Sequence, residues 1–524
     1  SPNMVVHRRL KRSLVISVHF LKWISASSIE NAKIQPAFVC LNKGGQLCWI
    51  SSNSSRKGDS PERNNHRTII TTSDTTYQKS SSALFNTKPS FSSIPSGGSI
   101  LDTNYFEDDR DAELPLSFPR RDDVLAALTA VRKASSVIRN IQPERALDKS
   151  GSKMSVTKSD ASPVTVGDFS AQAIVLRHLH KAFPADSFIA EESSKALVEN
   201  PSLAQDILEA TMVQGIEDID DLMASIDLGQ TYNDDGSDSG TRSTRTWCLD
   251  PIDGTKGFLR GKRDGGQYCV ALALVEDGVP TIGVLGCPNL PTEVNDENYE
   301  WRDDETEETN ANARGCIFVA SKGGGAYQLP LFPNKNVESK RLHVTPVDGE
   351  RTPKDARFCV GKLYFDRQQN SVCDYVFDSR SQSWLDVTKG VEKFSDPLGQ
   401  LSAMAEILHG KDEALDDEGV ILKARRMDSQ VKYGVLSRGG GELFARLPRP
   451  GYLEWIWDHA AGSVVIQEAG GQVTDVDGNA IDFGLGAKLS KDVRGILASN
   501  GGQFHEKLLE AYKLQEQQRN ESKT

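Results

Sequence analysis

Two aspartates three positions apart, Asp250 and Asp253, stand in WCLDPIDGTKGFLRG and are followed at once by Gly254 and the hydroxyl of Thr255. Like charges held this close in a folded chain repel and raise each other's pKa, so the pair is costly unless a cation sits between them. Further carboxylates stand where regular structure should end or begin. Glu191 and Glu192 close a short apolar run in DSFIAEES, Asp458 opens a helical pattern in EWIWDHAAGSVV, and Asp160 lies in TKSDASPVTVGD. Hard oxygen ligands of this kind suit Mg²⁺, which accepts carboxylates, water and substrate phosphate in one octahedral shell. Two such ions about 4 Å apart orient a water and stabilise a leaving oxygen. The Gly254-Thr255 step adds backbone N–H donors at a helix start, which favours a phosphate. Each piece alone has a plainer reading, as a loop or cap pair, a solvated strand end or an N-cap.

The groups meet only if the fold brings strand ends and helix starts together. After Pro119, DDVLAALTAVRKASSVIRNIQ spaces Val124, Leu128, Val131, Ala134, Val137, Ile138 and Ile141 along one face, which predicts a helix with Asp122 and Asp123 in its first turn. SPVTVGDFSAQAIVLRHLHKAF predicts a second helix, opening near Asp168 and ending before Pro184. Phe188 to Ala190 and Thr246 to Leu249 read as short buried strands that deliver carboxylates at their ends, and residues 267–287 alternate as strands about a DG turn. Farther on, RLHVTPV, ARFCVG, YGVLSRGGGELFARL and GGQVTDVDG read as strands, and PLGQLSAMAEILHG and DHAAGSVVIQEAGG as helices. Mixed elements throughout imply a layered α/β architecture rather than a bundle or barrel. The acidic stretches 199–243 and 291–314 read as solvated surface insertions.

With 524 residues and 38% hydrophobic content the chain can bury an ordinary core. Its net charge of -12 is uneven, because residues 1–100 carry 13 Lys and Arg against 4 Asp and Glu, and the body is therefore acidic. An acidic body argues against a nucleic-acid partner, and without a run of about eighteen apolar residues no membrane-spanning helix is expected. MVVHRRLKRSLVISVHFLKWISASS and the Ser-rich KSSSALFNTKPSFSSIPSGG give the N-terminal hundred residues the basic, acid-poor composition of an organellar transit peptide, for chloroplast or mitochondrion. A secretory signal competes, although Arg9, Lys11 and Lys22 spoil its apolar segment, and a plain disordered tail on a cytoplasmic protein is the third reading. The eight cysteines form no CxxC pair and read as reduced core residues. His178, His180 and His459 read as structural or solvated, since no second ligand set lies at zinc-like spacing.

Taken in order, EES, WCLDPIDGTKGFLRG and WDHAAG resemble the motif series of the inositol monophosphatase superfamily of Mg²⁺-dependent, lithium-sensitive phosphatases. TKSDASPVTVGDFSAQ, the GFLRG continuation, GVLGCPNLP and RMDSQVKYGVLSRG are similar to its 3′(2′),5′-bisphosphate nucleotidase branch, from about residue 120 to about residue 509. The resemblance implies an α-β-α-β-α sandwich behind a disordered extension over residues 1–113. It divides the body into a metal-binding α+β half over 114–335 and a nucleotide-binding α/β half over 336–512, with a polar tail over 513–524. It matches Glu191, Asp250 and the Ile252 carbonyl to the first metal, and Asp250, Asp253 and Asp458 to the second. Asp160 with Glu191 matches the position of a third ion, and Asp160 with Thr255 the pair that activates the attacking water. Gly254 and Thr255 would hold the scissile phosphate, while Asp428, Ser429, Lys432, Arg446 and Glu392 match the surroundings of the nucleoside and its other phosphate.

The implied activity is removal of the 3′-phosphate from adenosine 3′,5′-bisphosphate, and from its sulfated precursor, by a monomer using two or three Mg²⁺ ions. One position departs from the branch: GVEKFSDPLG carries Phe394 where relatives use a histidine beside the nucleoside. Phe394 reads equally as a ring that stacks on adenine and as a core residue in a locally shifted alignment. Two other readings stay open, a phosphatase for inositol phosphates or a sugar bisphosphate, and a nucleotide-binding regulator without turnover.

Overall fold

The computed structural model describes residues 114–142, 165–230, 244–262, 265–293, 314–332, 339–346, 351–361, 399–416 and 421–521, together with the backbone of strands at 36–41, 47–51, 155–157, 163–165, 375–378 and 383–386. The chain divides into two compact units. In the smaller, the strands at 36–41, 47–51, 375–378 and 383–386 form a four-stranded antiparallel sheet. The larger unit holds every described carboxylate of interest.

It opens with helix α1 (Arg121–Ile141), whose buried face of Val124, Leu128, Val131, Ala134, Val137 and Ile138 is the predicted one. Helix α2 (Val166–Ala182) packs on α1 and starts in a capping box, Thr165 bonding the backbone of the first turn while Asp168 accepts from the Thr165 N–H. Strand β1 (Ser187–Ala190) follows. Residues 199–230 are not a solvated insertion. Helices α3 (Pro201–Thr211) and α4 (Ile219–Asp227) bury Leu203, Ile207, Leu222 and Ile226 in the core shared with α2, because the stretch carries a narrow apolar stripe among its charges. Strand β2 (Arg245–Asp253), helix α5 (Thr255–Arg260) and strands β3 (Cys269–Glu276), β4 (Val279–Pro291), β5 (Arg314–Ser321), β6 (Gly325–Pro330) and β7 (Lys340–Arg341) complete a seven-stranded sheet in the order β7-β6-β5-β4-β3-β2-β1. Only β1 and β2 are parallel. Arg245, reaching Asp123 of α1 at 2.6 Å and Asp186 at 2.8 Å, pins the start of β2.

The second half supplies strand β8 (Phe358–Val360), helix α6 (Gln400–His409), strand β9 (Ala424–Arg426), helix α7 (Val431–Ser437), strand β10 (Leu443–Arg446), helix α8 (Ala460–Glu468), strands β11 (Gln472–Asp475) and β12 (Ile496–Ser499), and helix α9 (Gly502–Glu521). The five strands pair in the order β9-β8-β10-β12-β11. YGVLSRG is helical rather than extended. It is buried on almost every side, so its apolar run carries no helical period to distinguish it from a core strand. Of RLHVTPV only the first residue is in a strand, and α9 continues past residue 512 to Glu521.

Three apolar cores separate the layers. Trp247, Leu249 and Leu272 face α1 and α2; Ala271, Leu285 and Phe318 face α7 and α8; Phe358, Leu443 and Leu497 face α6 and α9. The alternation along each strand builds the expected α-β-α-β-α sandwich. Cys248, Cys269, Cys287, Cys316 and Cys359 are free and buried. No helix among the described residues is long and apolar enough to cross a membrane.

Candidate active site

Parallel pairing of β1 with β2 sets Ala190 opposite Leu249, so Glu191, the residue after β1, lies level with Asp250 inside β2. The pairing of β2 with β3 slips between Asp250 and Asp253, and this irregularity re-aims the end of β2. Gly254 then turns the chain at φ 94, where a side-chain carbon would come within 2.9 Å of Ser429 Cβ. Thr255 starts α5 directly after that turn. Asp458 is supplied by the single turn Ile456–Asp458 that leads into α8.

The carboxylates form one electrostatic group. Burial, then the charges of Glu191, Asp253 and Asp458, push the Asp250 carboxyl well above the usual range. Burial, then Asp253 and Glu454, does the same to Asp458. Asp253 is raised by burial, with the Lys432 charge and the Gln430 amide offsetting part of the rise. Asp250 Oδ1 is buried with no hydrogen-bond partner among the described residues. A buried acceptor among mutually repelling carboxylates is what a cation would complete, and the all-oxygen donor set fits Mg²⁺.

Asp160 lies outside the described residues, as do Glu392 and Phe394. Among the described residues the carboxylate that meets Thr255 is Asp168: the Thr255 hydroxyl lies 3.4 Å from Asp168 Oδ1 and 3.3 Å from the Ile252 carbonyl. Asp168 Oδ2 is occupied by the Thr165 N–H at 2.8 Å and hydroxyl at 2.5 Å. In the sequence Asp168 marks only a helix start. The T-x-x-D spacing of Thr165 and Asp168 was the available signal, and it reports a cap rather than a neighbour 87 residues away.

Ser429 has left-handed backbone, φ 68, uncommon outside glycine. The Gln430 N–H that follows it donates to Asp253 Oδ2 at 2.6 Å. The Gln430 side chain donates to the Trp457 carbonyl at 2.7 Å and accepts from Gly462 N–H at 3.0 Å. One buried residue thus ties the end of β2 to the segment that carries Asp458. Asp428 is buried and accepts from Arg260 at 2.5 Å, so its carboxylate holds α5 against the segment before α7. Lys432, lowered by burial against the pull of Asp253 and Asp428, lies near enough to Arg446 for the two charges to oppose each other. Arg446 Nε donates to Glu454 at 3.0 Å while its side chain stays 45% exposed. Glu454, Asp458 and His459 bring ligand atoms within 4.8 Å of one another.

Residues 120–517 match the model of the inositol monophosphatase family. A Schizosaccharomyces pombe protein named 3′(2′),5′-bisphosphate nucleotidase is 36% identical over 394 residues, 74% of this chain and 93% of the relative. Proteins of the same name from Emericella nidulans and Oryza sativa are 34% and 35% identical, over 71% and 73% of this chain and 92% and 91% of theirs. A solved structure of the extragenic suppressor protein suhB from Bartonella henselae resembles the chain at 18% identity and a TM-score of 0.42, over 75% of this chain and 98% of that one. Match and motif order agree from the first helix to the last: the chain belongs to the inositol monophosphatase family.

Proposed function

We propose that the chain is a Mg²⁺-dependent, lithium-sensitive 3′(2′),5′-bisphosphate nucleotidase that hydrolyses adenosine 3′,5′-bisphosphate to AMP and phosphate. The observation that carries this is the placement of two cations beside the carboxylate group: Arg446 is held by Glu454, whose carboxylate lies within 4.8 Å of an Asp458 oxygen, and Lys432 stands two residues past Gln430, whose N–H holds Asp253. Positive side chains so close to the reacting end suit a substrate with a second phosphate. Glu191, Asp250, the Ile252 carbonyl, Asp253 and Asp458 would hold the ions, which when bound lower the pKa of the attacking water and neutralise charge on the phosphoryl group. The Thr255 hydroxyl receives the water's proton as its own passes to Asp168 Oδ1, and Gly254 leaves the backbone open to the phosphate.

The reading is supported by the named relatives and tested by substitution. Lys432→Ala and Arg446→Ala each should lower kcat/KM for the bisphosphate about ten- to a hundredfold, the worth of one charge-assisted contact. Inositol 1-phosphate, with no second phosphate, should not share that loss. Equal losses on both substrates, or none, would overturn the assignment. Turnover should vanish in EDTA and fall with lithium where potassium has no effect.

The residues before 114 serve in this reading as an organellar targeting extension. A chain beginning at Asp111 should keep full turnover, and the extension fused to a fluorescent protein should enter chloroplasts or mitochondria. Diffuse cytosolic fluorescence would reject that address.

A further inference from the structure

Beyond the ligands and phosphate contacts lies a buried chain of hydrogen bonds that none of those roles uses. Tyr433 Oη and His459 Nδ1 are 3.0 Å apart, and His459 Nε2 and Glu454 Oε2 are 3.3 Å apart. The other carboxylate oxygen of Glu454 takes the Arg446 Nε–H at 3.0 Å. Tyr433, His459 and Glu454 are all but inaccessible to solvent. Although burial works against it, His459 and Arg446 hold the Glu454 carboxyl down, to about 2. An ionised Glu454 accepts from His459 Nε2–H, which leaves Nδ1 to accept the Tyr433 proton. Each polar atom of the chain is then satisfied, and only the far end of Arg446 reaches solvent.

That end matters because of guanidinium geometry. A guanidinium has five N–H donors in a plane, and a carboxylate on Nε leaves the two terminal nitrogens as an aligned fork. Neither terminal nitrogen of Arg446 is hydrogen-bonded among the described residues. A free arginine at the surface spends rotamer entropy whenever it takes a phosphate, and one already held at Nε spends less. The same chain returns to Tyr433, next to Lys432, so it sets both cations relative to each other.

We propose that Glu454 is a positioning residue that sets specificity for a second phosphate, by presenting the terminal nitrogens of Arg446 as a fixed fork braced through His459 and Tyr433. This rests on the reading of Arg446 given under Proposed function. The competing role, Glu454 as a cation ligand beside Asp458, predicts a different phenotype.

The test compares adenosine 3′,5′-bisphosphate with adenosine 3′-monophosphate, which lacks the distal phosphate. Glu454→Gln should lower the ratio of kcat/KM values, bisphosphate over monophosphate, about tenfold, through KM rather than kcat. In an Arg446→Ala background the same substitution should change the ratio no further. Equal loss on both substrates, with a raised Mg²⁺ requirement, would make Glu454 a ligand and overturn the proposal. A full additional effect in the Arg446→Ala background would overturn it as well. If Arg446→Ala alone leaves the ratio unchanged, the second-phosphate reading has failed and the role of Glu454 falls with it. Should Glu454→Gln not fold, Tyr433→Phe removes only the far hydroxyl of the brace. It should lower the ratio about two- to fivefold, and an unchanged ratio would overturn the proposal.

Discussion

Arg260 Nη1 meets Asp428 Oδ2 at 2.5 Å, with both side chains buried. The pair joins the helix after the Asp-Gly-Thr turn to the segment that carries Ser429 and Gln430, and a side-chain carbon on Gly257 would come within 3.0 Å of the same Asp428 oxygen. Removing one partner strands the other charge in the interior, at a cost of about 3–5 kcal/mol. Arg260→Met should therefore lower stability by that amount in denaturant unfolding. Arg260→Met with Asp428→Leu should lose less than the two single changes together, and simple additivity would show that the charges do not depend on each other.

Asp250→Asn should abolish phosphate release in Mg²⁺ while leaving the metal-free protein at least as resistant to heat as the parent. Its carboxyl is raised by burial and by three neighbouring carboxylates, so the neutral amide relieves repulsion that only a cation otherwise relieves. A clear fall in melting temperature in EDTA would contradict this account.

Thr255→Val and Asp168→Asn would remove opposite ends of the proposed proton path. Each should lower kcat about 10²- to 10⁴-fold with little change in KM. Asp168→Asn should also cost some stability, because Asp168 closes the capping box of α2. A kinetic loss for Asp168→Asn alone would show that Thr255 only packs.

His505 gives the fold a pH dependence of its own, outside the carboxylate group. Burial lowers it from 6.5 to about 4, between Thr474 at 2.9 Å and Ser499 at 3.0 Å. The folded state holds the ring neutral more strongly than the unfolded chain does. Its contribution is therefore complete above about pH 6.5 and lost as pH falls toward 4, up to about 3 kcal/mol. Stability measured across that window should slope less in His505→Gln, and an unchanged slope would assign the acid sensitivity elsewhere.

Sequence alone determined the chemistry of this protein more completely than its shape. The spacing in DPIDGT dictates a strand end, a turn that glycine favours and a hydroxyl, because those needs are local and side-chain type meets them within a few residues. The amphipathic face of α1 was equally legible, with Asp122 and Asn140 exposed opposite it. Where burial is complete the period disappears, which is why YGVLSRG reads as a strand and folds as a helix. Tertiary structure alone set Asp168 against Thr255, since it reaches the hydroxyl across the packing of α2 against β2 rather than along the chain. It likewise made Gln430 the tie between the Asp253 and Asp458 segments and gave Glu454 its hold on Arg446. A hydrogen bond between distant segments costs its partners nothing in local propensity, so the sequence around each carries no mark of it until the layers close.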